Sequence, residues 1–377
     1  MPAYLAGREN DIESASESFN GLTNGIPVRS IAYTGFRGVG KTVLLNRLQE
    51  IAEEKGIASY HIEVTKAGSF ISKLNNCCRK YLRTGSFTDV LGNIFTDALD
   101  SLKALELSFE PENNKFSLSM QEKMLYSSTD ISQNLQDLFE SIGELAKKKA
   151  RPICFFIDEF QYSSQEEIDA FISAVHRTNQ LSYPLMTVCA GTRELLKMLY
   201  KEKTYVKRLF IFPKVELLSV KEVGAAISIP AAREGLEFDD TAIRRIFEIT
   251  QGYPYFVQQY GQIIYKHADS ASTIDLEITN KALSEYYSEL DNNFYMIRYE
   301  DRGDLEKQCL SAMAGQDSFP CRVSDIAKTL KKEIKQISPT LSRLKTKGLI
   351  TYENPGEVDF TVPGFADYIK RRNATKN

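Results

Sequence analysis

The octapeptide Gly35-Phe36-Arg37-Gly38-Val39-Gly40-Lys41-Thr42 constrains this chain more than any other feature. It fits the spacing GxxxxGK[ST], follows the β-like run Ser30 to Thr34 and opens into VLLNRLQEIAEEK, a segment of helical period. Glycines in such a loop let the backbone curl with its N–H groups pointing inward, and the following helix directs its positive dipole end at the same anion. The expected product is a phosphate cradle lined by Gly35, Phe36, Arg37, Gly38, Val39 and Gly40. In it, Lys41 reaches the β- and γ-phosphates and the Thr42 hydroxyl ligates Mg²⁺.

A triphosphate site needs a second, acidic half at the end of a buried strand. Ile153-Cys154-Phe155-Phe156-Ile157-Asp158-Glu159 supplies one. Asp158 is expected to hold the Mg²⁺ shell, and Glu159 to orient and deprotonate the attacking water. Alone, an apolar run ending in two acids reads equally as a solvated strand end; the upstream cradle gives the pair its meaning. ATP and Mg²⁺ are the expected ligands.

A length of 377 residues is about two and a half times the ~150-residue domain prior, so two or three domains are expected. Apolar residues at 42% and charged residues at 26% exclude disorder as the main state. The longest apolar run, Ile153 to Ile157, falls far short of the ~20 residues that span a bilayer. MPAYLAGREN has neither a basic start nor an apolar h-region, so the expected location is the cytoplasm, with no membrane partner. Six cysteines without a CxxC pair read as reduced thiols, and three histidines argue against a histidine-rich metal site.

Along the first two-thirds, β-like runs alternate with amphipathic stretches, the pattern of an α/β fold with a parallel sheet between helices. Strands are expected at 30–34, 57–63, 153–158, 185–190 and 209–212, with a mostly helical insertion at 65–151. Around Phe109 to Leu118, Pro111 and Asn113-Asn114 suggest a hairpin or loop within it. From about Lys214 the β-runs stop and helices follow, giving an all-α lid. The expected division is 1–214 for the P-loop core, 215–293 for the lid and 294–377 for a third domain.

With these two motifs in place, the chain resembles the AAA+ and STAND classes of P-loop ATPases, especially archaeal-type ATPases and origin-recognition-like initiators ending in a winged helix. The resemblance covers nearly the whole chain. It implies that Arg8, in Ala6-Gly7-Arg8-Glu9, lies near the adenine pocket, where the bland reading is a charged helix start. It implies that Thr192, after the strand ending in Gly191, is the polar sensor of the γ-phosphate; helix capping is the competing reading. Arg208, in Lys207-Arg208-Leu209-Phe210, corresponds to an arginine finger aimed at a neighbouring subunit in a homo-oligomer, or else to a surface ion pair. Pro254, in Gly252-Tyr253-Pro254-Tyr255, matches a nucleotide-sensing Gly-x-Pro motif, or is simply proline at a helix start. The 253–267 segment lacks the arginine that many AAA+ proteins carry there, which favours a STAND-like switch over a fast motor.

The C-terminal segment Arg322 to Arg372 carries 11 basic and 6 acidic residues, whereas the whole chain has a net charge of −3. Ser338-Pro339 reads as N-cap and first residue of a helix closing at Gly348, with Leu341 and Leu344 buried. Ser342, Arg343 and Thr346 then point outward, flanked by Lys345 and Lys347, as a DNA-contacting face. A preceding helix at 323–330 and a following strand–turn–strand complete what looks like a winged helix-turn-helix, with phosphate contacts from Lys328, Lys331, Lys332 and Lys335. Glu353, Glu357 and Asp359 on the wing oppose a phosphate backbone, so protein docking and a packing role stay open.

The leading expectation is an ATP-hydrolysing switch, slow in turnover, that couples nucleotide state to duplex DNA. The alternative is a signalling or scaffold ATPase whose C-terminal domain docks a protein. A small-molecule kinase is disfavoured, because the helical and C-terminal domains would have no evident task. GxSxG and HExxH motifs are absent from the sequence.

Overall fold

A computed structural model describes residues 4–85, 92–109, 130–201, 205–268, 272–352 and 354–374. The hairpin or loop expected around Pro111 and Asn113-Asn114, and the wing residue Glu353, lie outside the described residues. The chain divides into two compact units, one of residues 8–36 and 40–216, the other of 1–7, 37–39 and 217–377.

The first unit is built on a five-stranded parallel sheet of β1 (Ser30–Thr34), β2 (Ala58–Glu63), β3 (Ile153–Asp158), β4 (Leu185–Gly191) and β5 (Phe210–Ile211). The strand order is β2-β3-β4-β1-β5, with Ile31 opposite Val188, Ile153 opposite Leu185 and Ala58 opposite Ile153. Every residue of β1, β3 and β4 is buried, because helices cover both faces of a parallel sheet; the edge strand β2 is mostly part-exposed. The fifth strand begins at Phe210 rather than Leu209, which closes the short helix Val206–Leu209.

Helices Phe70–Thr84, Gly92–Phe109 and Ile131–Lys148 fill the described part of 65–151. Ser69 and Asp130 accept backbone N–H bonds at two of their starts. Phe139 stacks on Phe155 of β3 at 5.7 Å between centroids, tying these helices into the sheet's core. Helix Gln165–Gln180 starts with a reciprocal capping box between Ser164 and Glu167.

The second unit is largely helical, with Val220–Ala232, Asp240–Thr250 and Pro254–His267 sharing one core through Val223, Ile246, Val257 and Tyr260. Its 215–293 stretch is not wholly helical. Glu237–Phe238 (β6) and Thr273–Ile274 (β7) form a two-residue parallel ladder, too short to leave a periodic signal in the sequence.

Beyond it come helix Asp304–Ala314, β8 (Cys321–Arg322), helices Val323–Thr329 and Ile334–Thr346, the hairpin β9 (Ile350–Tyr352) and β10 (Glu357–Phe360), and helix Phe365–Ala374. The three strands form an antiparallel sheet in the order β8-β10-β9.

The helix expected to have Ser338 as its N-cap begins five residues earlier, with Glu333 in that position. Glu333 and Gln336 form a reciprocal capping box, and Pro339 lies inside the helix. A proline there forgoes the backbone bond to the carbonyl of Lys335, an exposed residue. The competing start signal at Ser338-Pro339 is thereby overridden; the Ser338 hydroxyl instead donates to the Ile334 carbonyl at 2.7 Å.

Candidate functional site

The ends of β1, β3 and β4 fall on one edge of the sheet, as parallel register requires, and each delivers part of the predicted site. β1 ends at Thr34, and the loop from Gly35 leads into helix Lys41–Glu54. Gly38 and Gly40 have φ of +78° and +93°, the left-handed region where a Cβ is disfavoured. Gly40 is the N-cap of the helix, and a Cβ there would meet nothing within 4 Å, whereas a Cβ on Gly38 would run into the Tyr253 hydroxyl. Phe36 lies under Arg193, whose guanidinium carbon is 4.0 Å from the ring centroid.

Lys41 is 6% exposed, and its ammonium folds back on the loop, donating to the carbonyls of Phe36 (2.7 Å) and Gly35 (3.2 Å). The Thr42 hydroxyl donates to Asp158 Oδ2 at 2.6 Å, and Asp158 Oδ1 accepts the backbone N–H of Glu159 at 2.8 Å. Two motifs 116 residues apart thus meet through one hydrogen bond, and Asp158 is 3% exposed. A hydroxyl beside a carboxylate is a hard-oxygen set of the kind Mg²⁺ takes.

Glu159 turns the chain out of β3, with φ +52° and ψ +36°. Its neighbour Phe160 is fully buried against Phe70 and Phe171, at 5.0 and 5.3 Å, and holds that turn in place. Gln161, which the sequence analysis passed over, donates from its amide nitrogen to Glu159 Oε2. Its amide oxygen accepts the backbone N–H of Thr192 at 3.0 Å. Only the side-chain bond to Glu159 had a local signal, a polar residue two positions on; the partner at Thr192 is 31 residues away.

Thr192 occupies the N-cap position of helix Arg193–Tyr200 without capping it. Its hydroxyl oxygen is buried and has no hydrogen-bond partner. An orphaned hydroxyl near the ends of β3 and β4 suits a ligand oxygen better than a structural role. Together, the glycine loop, the oxygen pair and this hydroxyl fit a Mg²⁺-bound nucleotide.

The other predicted residues are more dispersed. Arg8 is 6% exposed and donates to the Glu216 carbonyl at 2.6 Å. Arg208 sits exposed on helix Val206–Leu209. Pro254 is the first residue of its helix, and the N-cap Tyr253 donates its hydroxyl to the Arg37 carbonyl at 2.8 Å, within the second unit. Burial pushes the Tyr253 hydroxyl up to about 12, against the opposing charges of Arg298 and Arg37, so it remains a donor at neutral pH.

On helix Ile334–Thr346, Ser342, Arg343 and Thr346 are exposed and Lys345 is half-buried, with its ammonium 5.9 Å from the Tyr352 ring centroid. Lys347 departs from the expected outward face: its ammonium bonds both oxygens of Glu306 at 2.8 Å. Arg343 also lies 3.7 Å from Glu306, a carboxylate 5% exposed on helix Asp304–Ala314. Part of the charge expected to face a partner is therefore neutralised from within. All six cysteines are buried thiols, and no described helix is long and apolar enough to cross a membrane.

Residues 4–188 match the family described as AAA ATPase domain, and residues 292–369 match a domain of unknown function, DUF8462. No curated protein sequence matches the chain. Among solved structures, it is similar to a Walker-type ATPase of Pyrococcus abyssi, with 17% identity, a TM-score of 0.61 and coverage of 97% of this chain and 96% of that one. Lower similarities are to the Thermotoga maritima RuvB Holliday junction branch migration motor (16% identity, TM-score 0.47, 98% and 95% covered) and to the Aeropyrum pernix Orc1 protein in complex with DNA (14%, 0.46, 100% and 95%). Sheet order and phosphate loop agree with the domain match: the first unit has the fold of a P-loop NTPase core, and residues 4–188 are similar to AAA ATPase domains.

Proposed function

We propose that this protein binds Mg·ATP at residues 35–42, hydrolyses it slowly, and uses the nucleotide state as a switch for duplex DNA held by its C-terminal segment. The observation that carries the nucleotide half is the Thr42–Asp158 hydrogen bond, which unites the loop and the acidic strand end in one oxygen-rich corner. Bound Mg²⁺ would supply positive charge that offsets the charge of the phosphates. Thr42 and Asp158 would hold it, Lys41 would exchange its loop carbonyls for phosphate oxygens, Glu159 would accept a proton from the attacking water and Thr192 would donate to the γ-phosphate. Arg8 would serve the adenine side, Arg208 a neighbouring copy's nucleotide, and Pro254 the sensing of nucleotide state. The missing arginine in Pro254–His267 favours a STAND-like, switch-type rate.

The DNA half is supported by element order. Helix, strand, two helices and a hairpin, from Asp304 to Phe360, follow the winged-helix arrangement, with Ile334–Thr346 as the helix for the major groove. Ser342, Arg343 and Thr346 would face bases and phosphates, with Lys345 at the flank; Lys347 would act chiefly through its internal pair. The reading keeps the division at 1–214, 215–293 and 294–377. A second reading, docking of a protein, is favoured by Glu357 and Asp359 on the hairpin and by Ile334, which is 48% exposed.

Calorimetry and turnover test the first half: Lys41→Ala should lose Mg·ATP binding, while Glu159→Gln should bind and not hydrolyse. Retained binding in the first variant, or undiminished turnover in the second, would remove the assignment. Titration of duplex DNA at several salt concentrations tests the other half. Affinity that falls steeply with salt supports it, and no binding at low salt transfers the C-terminal segment to the protein-docking reading.

A further inference from the structure

Glu159 can act on water only if its carboxylate is held, and the chain leaves it poorly held by its own backbone. The residue stands at a left-handed turn, outside the ladder of β3. Gln161 supplies the hold. Its amide nitrogen donates to Glu159 Oε2, while its amide oxygen accepts the Thr192 N–H at 3.0 Å.

These two partners fix the amide's orientation: reversed, it would set N–H against N–H and oxygen against carboxylate. Gly191 makes the arrangement possible, since a Cβ on it would come within 2.7 Å of the Gln161 amide oxygen. Phe160, fully buried, anchors the short helical turn Phe160–Tyr162 from which Gln161 projects. One neutral side chain therefore joins the turn carrying Glu159 to the residue whose buried hydroxyl lacks a partner.

We infer that Gln161 is a positioning residue for hydrolysis, locking one oxygen of Glu159 so that the other faces the attacking water, and fixing that carboxylate relative to Thr192. The inference rests on Glu159 being the base. Misplacement of a reacting group by about 1 Å can cost on the order of 100-fold in rate, so loss of the clamp should appear in turnover and not in nucleotide affinity.

The test uses the full-length protein with Mg·ATP. Gln161→Met keeps the length and removes both hydrogen bonds; kcat should fall about 10- to 100-fold while the calorimetric Kd for ATP stays within about 2-fold. Gln161→Glu keeps the bond from Thr192 but opposes Glu159 with a like charge, and should lose turnover in the same way with the fold retained. In the Glu159→Gln background, Gln161→Met should cause no further loss in single-turnover rate, because the group it positions has gone. Wild-type kcat in either single variant, equal losses in binding and turnover, or multiplicative losses in the double variant would overturn the inference. Glu159→Gln with full turnover would instead strike the base assignment itself, so the two failures are distinguishable.

Discussion

Lys347→Met should destabilise the C-terminal part of the second unit, and the size of the effect follows from the surroundings of Glu306. That carboxylate is 5% exposed and takes both short bonds from Lys347, with the Gly303 N–H at 3.3 Å. Burial pushes its pKa up, but the Lys347 bonds, the Gly303 N–H and the charges of Lys347 and Arg302 outweigh burial and leave it below 4.5. Stripping one partner from a buried pair costs about 3–5 kcal/mol. Lys347 keeps 36% of its side chain exposed, and Arg343 stands 3.7 Å from the same carboxylate, so both solvent and a second cation soften the loss. About 2 kcal/mol remains, near the worth of a hydrogen bond to a charged group.

Hydrogen exchange along Asp304–Ala314 and Ile334–Thr346 reads this locally, without the unfolding of the first unit; about 2 kcal/mol corresponds to roughly 30-fold faster opening. Because the folded pKa of Glu306 is depressed, its stabilisation is complete above the unfolded value of 4.5 and is lost as pH falls through the folded one. The deficit of the variant should therefore be full at pH 7 and shrink on acidification. Unchanged protection at pH 7, or a deficit that persists when Glu306 is protonated, would refute the charge-pair argument.

Gly40→Ala forces a φ of +93° on a residue with a Cβ, so it should cost about 1–2 kcal/mol in thermal unfolding and weaken Mg·ATP affinity; an unaltered affinity would mean the loop tolerates another path. Thr192→Val removes a buried hydroxyl that has no partner, so stability should hold or rise by up to about 1 kcal/mol while kcat falls. A drop in stability instead would show that the hydroxyl is already satisfied. Arg343→Ala should lower the slope of log affinity against log salt for duplex DNA by about one, and a slope identical to wild type would dismiss this helix as the contact face.

Local chemistry wrote much of this protein openly. Gly38 and Gly40 with Lys41 and Thr42 announce a loop that only glycine-permitted backbone can form, and the unbroken apolar run Ile153 to Ile157 of β3 announces a strand covered on both faces. Such signals are legible because their physical cause lies within a few residues. The start of helix Ile334–Thr346 shows how far this reaches: Ser338-Pro339 and Glu333 with Gln336 are both valid local start signals. The longer helix prevailed, and it buries Ile337 among Ile326 and Leu341.

Tertiary structure alone decided the rest. Nothing near Lys347 foretells that its charge is drawn inward, because Glu306 lies 41 residues away and becomes a partner only when two helices pack. The same holds for Gln161, whose amide is oriented by a backbone N–H on another strand's end. Sequence spacing fixed which groups could do chemistry, since backbone conformation and periodicity are local properties. Which of those groups are held, neutralised or left without a partner depended on distances that only the packed chain defines.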